Sequence, residues 1–499
     1  MPIPCQRSGK CLLVAALFAL LSASAAWSEV KLPSIYADHM VVQRGMPVVV
    51  RGSANPGEAV SVTFRGATRK AVADKFGLWE VGLPAGIAGG PFTMDVVASN
   101  TVTFSDVLVG DVWVASGQSN MEFPMSRVRN AAEELKTADR PNIRLFHVEK
   151  AASQYALDDV TAKTWVACTP ETVTDFSAVA FFFAKDVQAD QKVPLGLIEA
   201  DWGGTPAEAW TSMRALSADA SLMPVFSEWG KMTDAQSHRM RELDYEKHAR
   251  EAAKAEGKPE PRFPWHPEIR SYAPGELWNA MIAPLTHFPI RGVIWYQGET
   301  NSAVGRWPIY SHLFQTMIRD WRHSWGQGDF PFLFVQISSY HSPEENWPEA
   351  RDAQRRVLAL RNTAMAVTID IGNPDDVHPT NKQDVGARLA LAARALAYNE
   401  TLEYSGPLYR MVSPEEGGLR VWFDHSAGLV AKGGAPRGFE IAGADRKFVK
   451  AQARIDGQSV VVSSAEVAEP EYVRYSWSEV PDGNLYNAAG LPASPFVSD

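Results

Sequence analysis

Hydrophobic positions change rhythm twice along this chain, and the changes divide it into three parts. From about Leu32 to Thr103 the apolar residues come in short runs, at 46–52, 59–64, 77–81 and 92–97. Turn residues such as Asn55-Pro56-Gly57 and Gly89-Gly90-Pro91 separate them. Short strands at close spacing with such punctuation predict an antiparallel β-sandwich over 29–104. Over 105–400, unbroken apolar runs at 107–114, 193–200, 292–296, 330–337 and 364–371 alternate with helical patterns at 177–188, 347–360 and 381–398. That alternation predicts an α/β unit whose parallel sheet is covered by helices. A charged, proline-containing stretch at 214–270 breaks the rhythm and reads as an insertion of surface helices, a solvated excursion more readily than a lid. Over 401–499 strand patterns return, at 418–423, 439–441, 459–462 and 472–477. They predict a second β region, standing alone or packing with the first.

In open parallel sheets, ligands bind where loops leave the carboxyl ends of strands. Four polar clusters fall at such points. The run 107–114 leads into Ser116-Gly117-Gln118-Ser119-Asn120-Met121, and 193–200 into Asp201-Trp202-Gly203-Gly204-Thr205-Pro206. The run 292–296 leads into Gln297-Gly298-Glu299-Thr300-Asn301, and 364–371 into Asn373-Pro374-Asp375-Asp376-Val377-His378-Pro379. Together they supply the parts of an acyl-transfer site. A serine hydroxyl needs a base, and the base needs a carboxylate on its other ring nitrogen. Ser119 is the expected nucleophile and His378 the expected base, with Ser116 shaping the turn. Three-residue spacing lets Asp375 fold back on His378. Asp376 points elsewhere if the segment is extended, and then caps the helix that starts near Thr380. An oxyanion needs donors aimed at it before reaction. The Ser119 N–H, the N–H of Gly203 or Gly204, and the Gln297 amide are the candidates. Glu299, acceptor-only when ionised, is expected to hold its loop, with Asn301 and Asp376 as further supporting candidates.

Composition narrows the class without changing this picture. With 45% hydrophobic and 21% charged residues the chain is an ordinary globular protein, and a net charge of -10 argues against nucleic acid as a partner. Sixteen Trp leave room for sugar-stacking indoles beside a Trp-rich core. Residues 1–28 have the layout of a secretory signal, with Arg7 and Lys10 ahead of an apolar run from Leu12 to Leu21 and small residues at 23–25. Periplasmic or extracellular localisation is therefore expected, with no membrane span in the mature chain. Cys5 and Cys11 fall in that leader, so Cys168 alone remains, and no disulfide framework or thiolate zinc site can form within the chain.

At these same four blocks the chain resembles the sialate O-acetylesterase family of the SGNH/GDSL hydrolase superfamily. Ser116 to Met121 resembles the family's nucleophile block and Trp202 to Trp210 its glycine block. Trp295 to Asn301 resembles its third block, with Gln297 at the place of the superfamily's oxyanion-hole asparagine. Asp375 to His378, with Pro379, Asn381 and Lys382, resembles its histidine block. Asn279-Ala280-Met281-Ile282-Ala283-Pro284-Leu285 and Asn484-Leu485-Tyr486-Asn487 extend the likeness over nearly the whole mature chain. The resemblance implies a flavodoxin-like, three-layer parallel α/β sheet with accessory β-sandwich regions at both ends. It also implies removal of O-acetyl groups from a sugar or oligosaccharide, without metal or other cofactor.

An acetylated plant cell-wall polysaccharide such as xyloglucan or xylan is the alternative substrate. Arg351, Arg355 and Arg356 could meet a sialate carboxylate, although arginines on a helix usually form a solvated face. Two readings of other classes are a non-catalytic carbohydrate-binding protein, which would not need His378, and a metal-dependent deacetylase. The latter would have only Asp375, Asp376 and His378 as ligands, too few and too local.

Overall fold

The computed structural model describes residues 29–263 and 266–498; the leader read as a signal lies outside the described residues. A mixed α/β sheet organises the fold. Its parallel strands are β1 (Thr101–Gly117), β2 (Arg140–His147), β3 (Leu195–Asp201), β4 (Gly292–Tyr296), β5 (Phe332–Val335) and β6 (Thr363–Ala366). They lie side by side in the order β6-β5-β4-β1-β3-β2, with Val166–Cys168 antiparallel at the far edge. The chain builds to one side of β1 and then crosses to the other, so the strand order reverses there. At such a reversal the flanking loops part and leave a crevice beyond the strand ends.

β1 does more than the apolar run at 107–114 predicts. It is 17 residues long and crosses positions 104 and 105 without a break. Its first half alternates in burial and pairs antiparallel with Gly89–Val97. From Val107 it is buried on both faces, and from Asp111 it pairs with β3. The alternating stretch suits a sheet with one wet face, and the continuous apolar stretch suits a doubly covered parallel strand. At the change of partner, the buried Asp111 carboxylate accepts from Arg44 at 2.8 and 2.9 Å and from Tyr398 Oη at 3.0 Å.

Helices cover the sheet. Ala178–Gln191 (α2) and Lys382–Leu396 (α6) bury Val179, Phe183, Leu389 and Ala393 in one core with Trp113, Leu197 and Ile294. Trp307–Trp325 (α4) brings Tyr310, Phe314 and Trp321 into a second core with Trp295 and Phe332. Local signals set the ends of these helices. The Ser177 hydroxyl accepts the Ala180 N–H, Asn381 caps Asp384 N, and Gly326 closes α4 in the left-handed region. Six of the sixteen Trp residues are fully buried: Trp113, Trp165, Trp210, Trp295 and Trp321 in these cores, and Trp347 in a smaller cluster with Ile337 and Ala350. Cys168 is also buried, which pushes its thiol up to about 12. Within the inserted stretch, Pro224–Ala255 (α3) is a 32-residue helix that buries only Val225 and Glu246. A helix polar nearly all round matches the solvated reading of that segment.

The C-terminal part forms two four-stranded antiparallel sheets around Leu419, Val421, Ile441, Val473 and Phe496. It docks on Trp347–Arg356 (α5) through Arg351, which is fully buried rather than on a solvated face. The guanidinium donates to the Ile337, Ser338, Ser478 and Glu479 carbonyls at 2.7 to 3.0 Å. Arg355 and Arg356 both donate to Asp352, at 2.8 and 2.7 Å. Among the described residues no helix is long and apolar enough to cross a membrane.

Candidate active site

The four loops predicted to carry chemistry all leave the carboxyl ends of parallel strands. Ser119 opens Ser119–Glu122 (α1) directly after β1. The turn needs Gly117 (φ +142), because a Cβ there would lie 2.2 Å from the Tyr296 carbonyl of β4. That carbonyl instead accepts the Gln118 N–H at 2.9 Å. Asn301 ties two further loops together, accepting from Ala207 N and the Gln297 amide and donating to Glu208.

Ser119 Oγ and His378 Nε2 lie 2.8 Å apart, across 259 residues of chain. Burial holds the imidazole below its ordinary value; the Lys382 charge adds to this, while Asp376 acts against it. The ring is therefore neutral near pH 7, as a proton acceptor must be. The Phe123 ring stacks beside it, centroids 6.5 Å apart.

The carboxylate facing His378 is that of Asp376. Its Oδ1 accepts the His378 N–H at 2.8 Å and stands 3.6 Å from Nδ1. This corrects the expectation that Asp375 would fold back. The loop is not extended at this point: Asp376 forms an Asx turn with its own i+2 residue, and that turn directs its carboxylate toward the ring. The Asp375 backbone is held by Asn373 Oδ1 at 3.0 Å, and its side chain is exposed. The 3.6 Å separation exceeds a hydrogen bond, as is common for such groups before substrate arrives.

The expected oxyanion donors part company. The Gln297 amide is fully buried and committed, donating to Asn301 Oδ1 at 2.6 Å and to the Thr205 carbonyl at 3.2 Å. Its oxygen accepts from Tyr310 at 3.0 Å. A buried amide must satisfy its hydrogens, and this one does so with one acceptor in its own loop and one in the glycine loop, leaving neither hydrogen for an oxyanion. Gly203 does lie against the nucleophile, since a Cβ there would stand 3.2 Å from Ser119 Cβ. Its N–H, however, donates to Glu122 Oε2 at 2.7 Å, and Lys150 grips the other oxygen at 2.6 Å. The Gly204 N–H makes no hydrogen bond among the described residues. The Ser119 N–H, at the first position of α1, has no acceptor within the helix. These two donors are the ones left open.

Several residues here escaped the sequence reading. Asn120, next to Ser119, donates to Glu299 Oε1 at 2.6 Å and to the Val377 carbonyl at 2.9 Å, and Lys382 donates to its oxygen. Burial raises Glu299 from its ordinary value, and Glu299 Oε2 has no hydrogen-bond partner among the described residues. Under the glycine loop, burial lifts Glu199 and carries Asp201 well above its ordinary value, where the charge of Glu199 adds to it. Glu199 also meets His147 Nδ1 at 3.1 Å. Two positions apart on β3, the two acids point to the same face of the sheet and so share one interior. Among the described residues, the one group of three convergent metal-ligand types is Glu242, Glu246 and His266 in the inserted segment. Arg239 Nη2 already sits 3.1 Å from both ring nitrogens there. Asp375, Asp376 and His378 do not bring ligand atoms together.

Comparison with known proteins identifies the family. Residues 264–395 match the family described as carbohydrate esterase, sialic acid-specific acetylesterase. The chain is 32% identical over 520 residues to the sialate O-acetylesterase of Mus musculus, covering 93% of each. It is 31% identical to that of Rattus norvegicus, again covering 93% of each. It is also similar to a crystal structure described as a novel carbohydrate acetylesterase from Xanthomonas citri. That likeness has a TM-score of 0.82 and 39% identity, and covers 94% of this chain and 100% of the other.

Proposed function

Because this chain belongs to the sialate O-acetylesterase family, and so is a carboxylic ester hydrolase acting on O-acetylated carbohydrate, we propose that it works through an acetyl-serine intermediate on Ser119. The observation that carries this reading is the 2.8 Å contact between Ser119 Oγ and a neutral His378. Ser119 Oγ attacks the acetyl carbonyl carbon while His378 Nε2 takes its proton. The oxyanion forms against the Ser119 and Gly204 N–H groups, and the Gly203 N–H joins them if Glu122 swings away. Each such donor contributes about 10²–10³ in kcat. Collapse breaks the bond to the sugar oxygen, which leaves with the proton from His378. Water then attacks the acetyl-serine, His378 accepts its proton, and acetate departs with Ser119 reprotonated.

Asp376 is the orienting carboxylate in this scheme, and Asp375 is not needed. Asp376→Asn should lower kcat roughly tenfold, well short of the about 10⁴-fold for a buried triad aspartate. The reason is its exposure, with 51% of its side chain in solvent. Asp375→Asn should leave kcat within about twofold, because surface changes away from the reacting groups are close to neutral. Steady-state hydrolysis of a chromogenic acetyl ester reads both, and the reverse ranking would restore Asp375 to the triad.

The strand order supports a flavodoxin-like SGNH architecture. Setting β2 aside, the remaining strands in chain order read 2-1-3-4-5, with Ser119 at the switch point. Export through the 1–28 leader belongs to the same reading. An O-acetylated sialic acid is the substrate the curated relatives' name suggests. Acetylated xylan or xyloglucan is the second possibility, and the Xanthomonas citri relative, named only as a carbohydrate acetylesterase, does not choose between the two. Acetate release from a panel of acetylated sialic acids, xylo-oligosaccharides and xyloglucan fragments separates the two. No release from any of them, nor from a chromogenic acetyl ester, would sink the proposal.

A further inference from the structure

Behind Ser119 and His378 lies a buried polar chain that the reaction steps leave unused. Lys382, four residues past His378 at the start of α6, is completely buried. Lysine is almost never found so placed unless it is paired. Its ammonium donates to Asn120 Oδ1 and stands 4.7 Å from the Phe123 ring centroid and 5.3 Å from that of Tyr296. Asn120 in turn reaches Glu299 at 2.6 Å and the Val377 carbonyl at 2.9 Å. One side chain, covalently next to Ser119, thus touches the residue before His378, the loop after β4 and the cation of α6.

A buried cation is costly when an apolar residue of similar length could fill the same space. Here the ammonium occupies the point where the nucleophile turn and the histidine loop meet. We propose that Lys382 is a positioning residue: through Asn120 it holds the nucleophile turn and the histidine loop at reacting distance, and its positive charge acts on His378. The inference rests on the reading of Ser119 and His378 as the reacting pair. It adds residues that touch neither the ester nor the reacting atoms.

The charge has a predictable sign. The groups facing His378 are Lys382 from α6, Arg127 from the 3-10 turn Met125–Arg127, Glu122 from α1 and Asp376 from its own loop. Burial, Lys382 and Arg127 favour the neutral ring, while Asp376 and Glu122 favour the charged one. The groups facing Lys382 are Glu299, Asp376 and Arg127, and burial brings Lys382 itself down to about 7. It is therefore charged over the lower pH range in which His378 titrates. Removing that charge raises His378 and moves the acid limb of reactivity to higher pH. A lysine that only filled space would leave the limb where it is.

The test uses a fluorophosphonate probe that labels an activated serine and needs no sugar and no acetyl ester. Labelling of Ser119 is followed across the histidine titration range in wild type, Lys382→Gln and Asn120→Ala. Lys382→Gln keeps a donor for Asn120 and removes the charge, so its acid limb should rise by about half to one pH unit. Asn120→Ala cuts the tether, so its maximal labelling rate should fall roughly tenfold to a hundredfold, the scale of a small misplacement. A Lys382→Gln limb that coincides with wild type, or Asn120→Ala labelling at the wild-type rate, would overturn the proposal. Thermal melts show whether each variant folds; if one does not, the other decides alone. Wild type labelled on Ser119 that releases no acetate would count against the esterase reading and leave the positioning claim standing. Wild type that is not labelled at Ser119 would remove both.

Discussion

Ser119→Ala should lower kcat for a chromogenic acetyl ester by about 10⁴- to 10⁶-fold, the range for deleting a nucleophile that acts as a unit with its base. The substitution removes only Oγ, whose hydrogen-bond partner is His378 Nε2 at 2.8 Å. Packing is untouched, so the thermal midpoint should stay within a few degrees of wild type, the shift that about 1 kcal/mol produces. His378→Ala should cost a similar factor, and the double variant little more than either alone, because neither group works without the other. Mass spectrometry should find an acetyl adduct on Ser119 in wild type quenched during turnover and none in Ser119→Ala. Near-normal turnover by Ser119→Ala would place the nucleophile elsewhere and dissolve the scheme.

The second large effect concerns stability. Arg351→Ala should destabilise the protein by roughly 3–4 kcal/mol, measured as a lower denaturation midpoint. Two of the acceptors it leaves, the Ile337 and Ser338 carbonyls, belong to buried residues, and an unsatisfied buried acceptor costs about 1–3 kcal/mol. The same guanidinium fork holds the Ser478 and Glu479 carbonyls, so the C-terminal sheets lose a docking point on α5. Arg351→Lys should not rescue, because a single ammonium cannot reproduce a planar fork that reaches four carbonyls at once. Arg410, 54% exposed and 3.7 Å from Asp424, is the comparison: its alanine variant should cost below about 1 kcal/mol. A loss near 1 kcal/mol for Arg351→Ala would mean that water replaces the fork.

How far the chain could be read in advance depended on the range of the interaction involved. The runs 107–114 and 292–296 are buried on both faces, and continuous apolar sequence is what such strands require. The short run at 364–371 misled, since the strand ends at Ala366 and the remainder turns toward His378. β2, with exposed residues at its start, has a pattern too broken to stand out. A division near residue 104 follows from the change of rhythm, yet one strand carries both rhythms because it changes partners midway.

Within the site the same division holds. The four loops, the serine, the histidine and the close glycine follow from residue type and position after buried strands. The choice between Asp375 and Asp376 turned on an Asx turn that reverses which side chain faces the ring. The roles of Gln297 and Gly203 turned on hydrogen-bond partners that sit in other loops. Lys382, Asn120 and Glu299 had no visible link, because their contacts span 179 and 262 positions along the chain.

The sequence by itself determined the parallel α/β core, the flanking strands, the family and the strand-end loops on which the proposed chemistry rests. These rest on periodicity, turn residues and ordered motifs, all of them local. Only the tertiary structure decided which carboxylate faces His378, which N–H groups in these loops are left without an acceptor, and what lies buried behind Ser119. Those outcomes depend on competition among polar groups brought together by folding, where each donor goes to whichever acceptor the packed loops present.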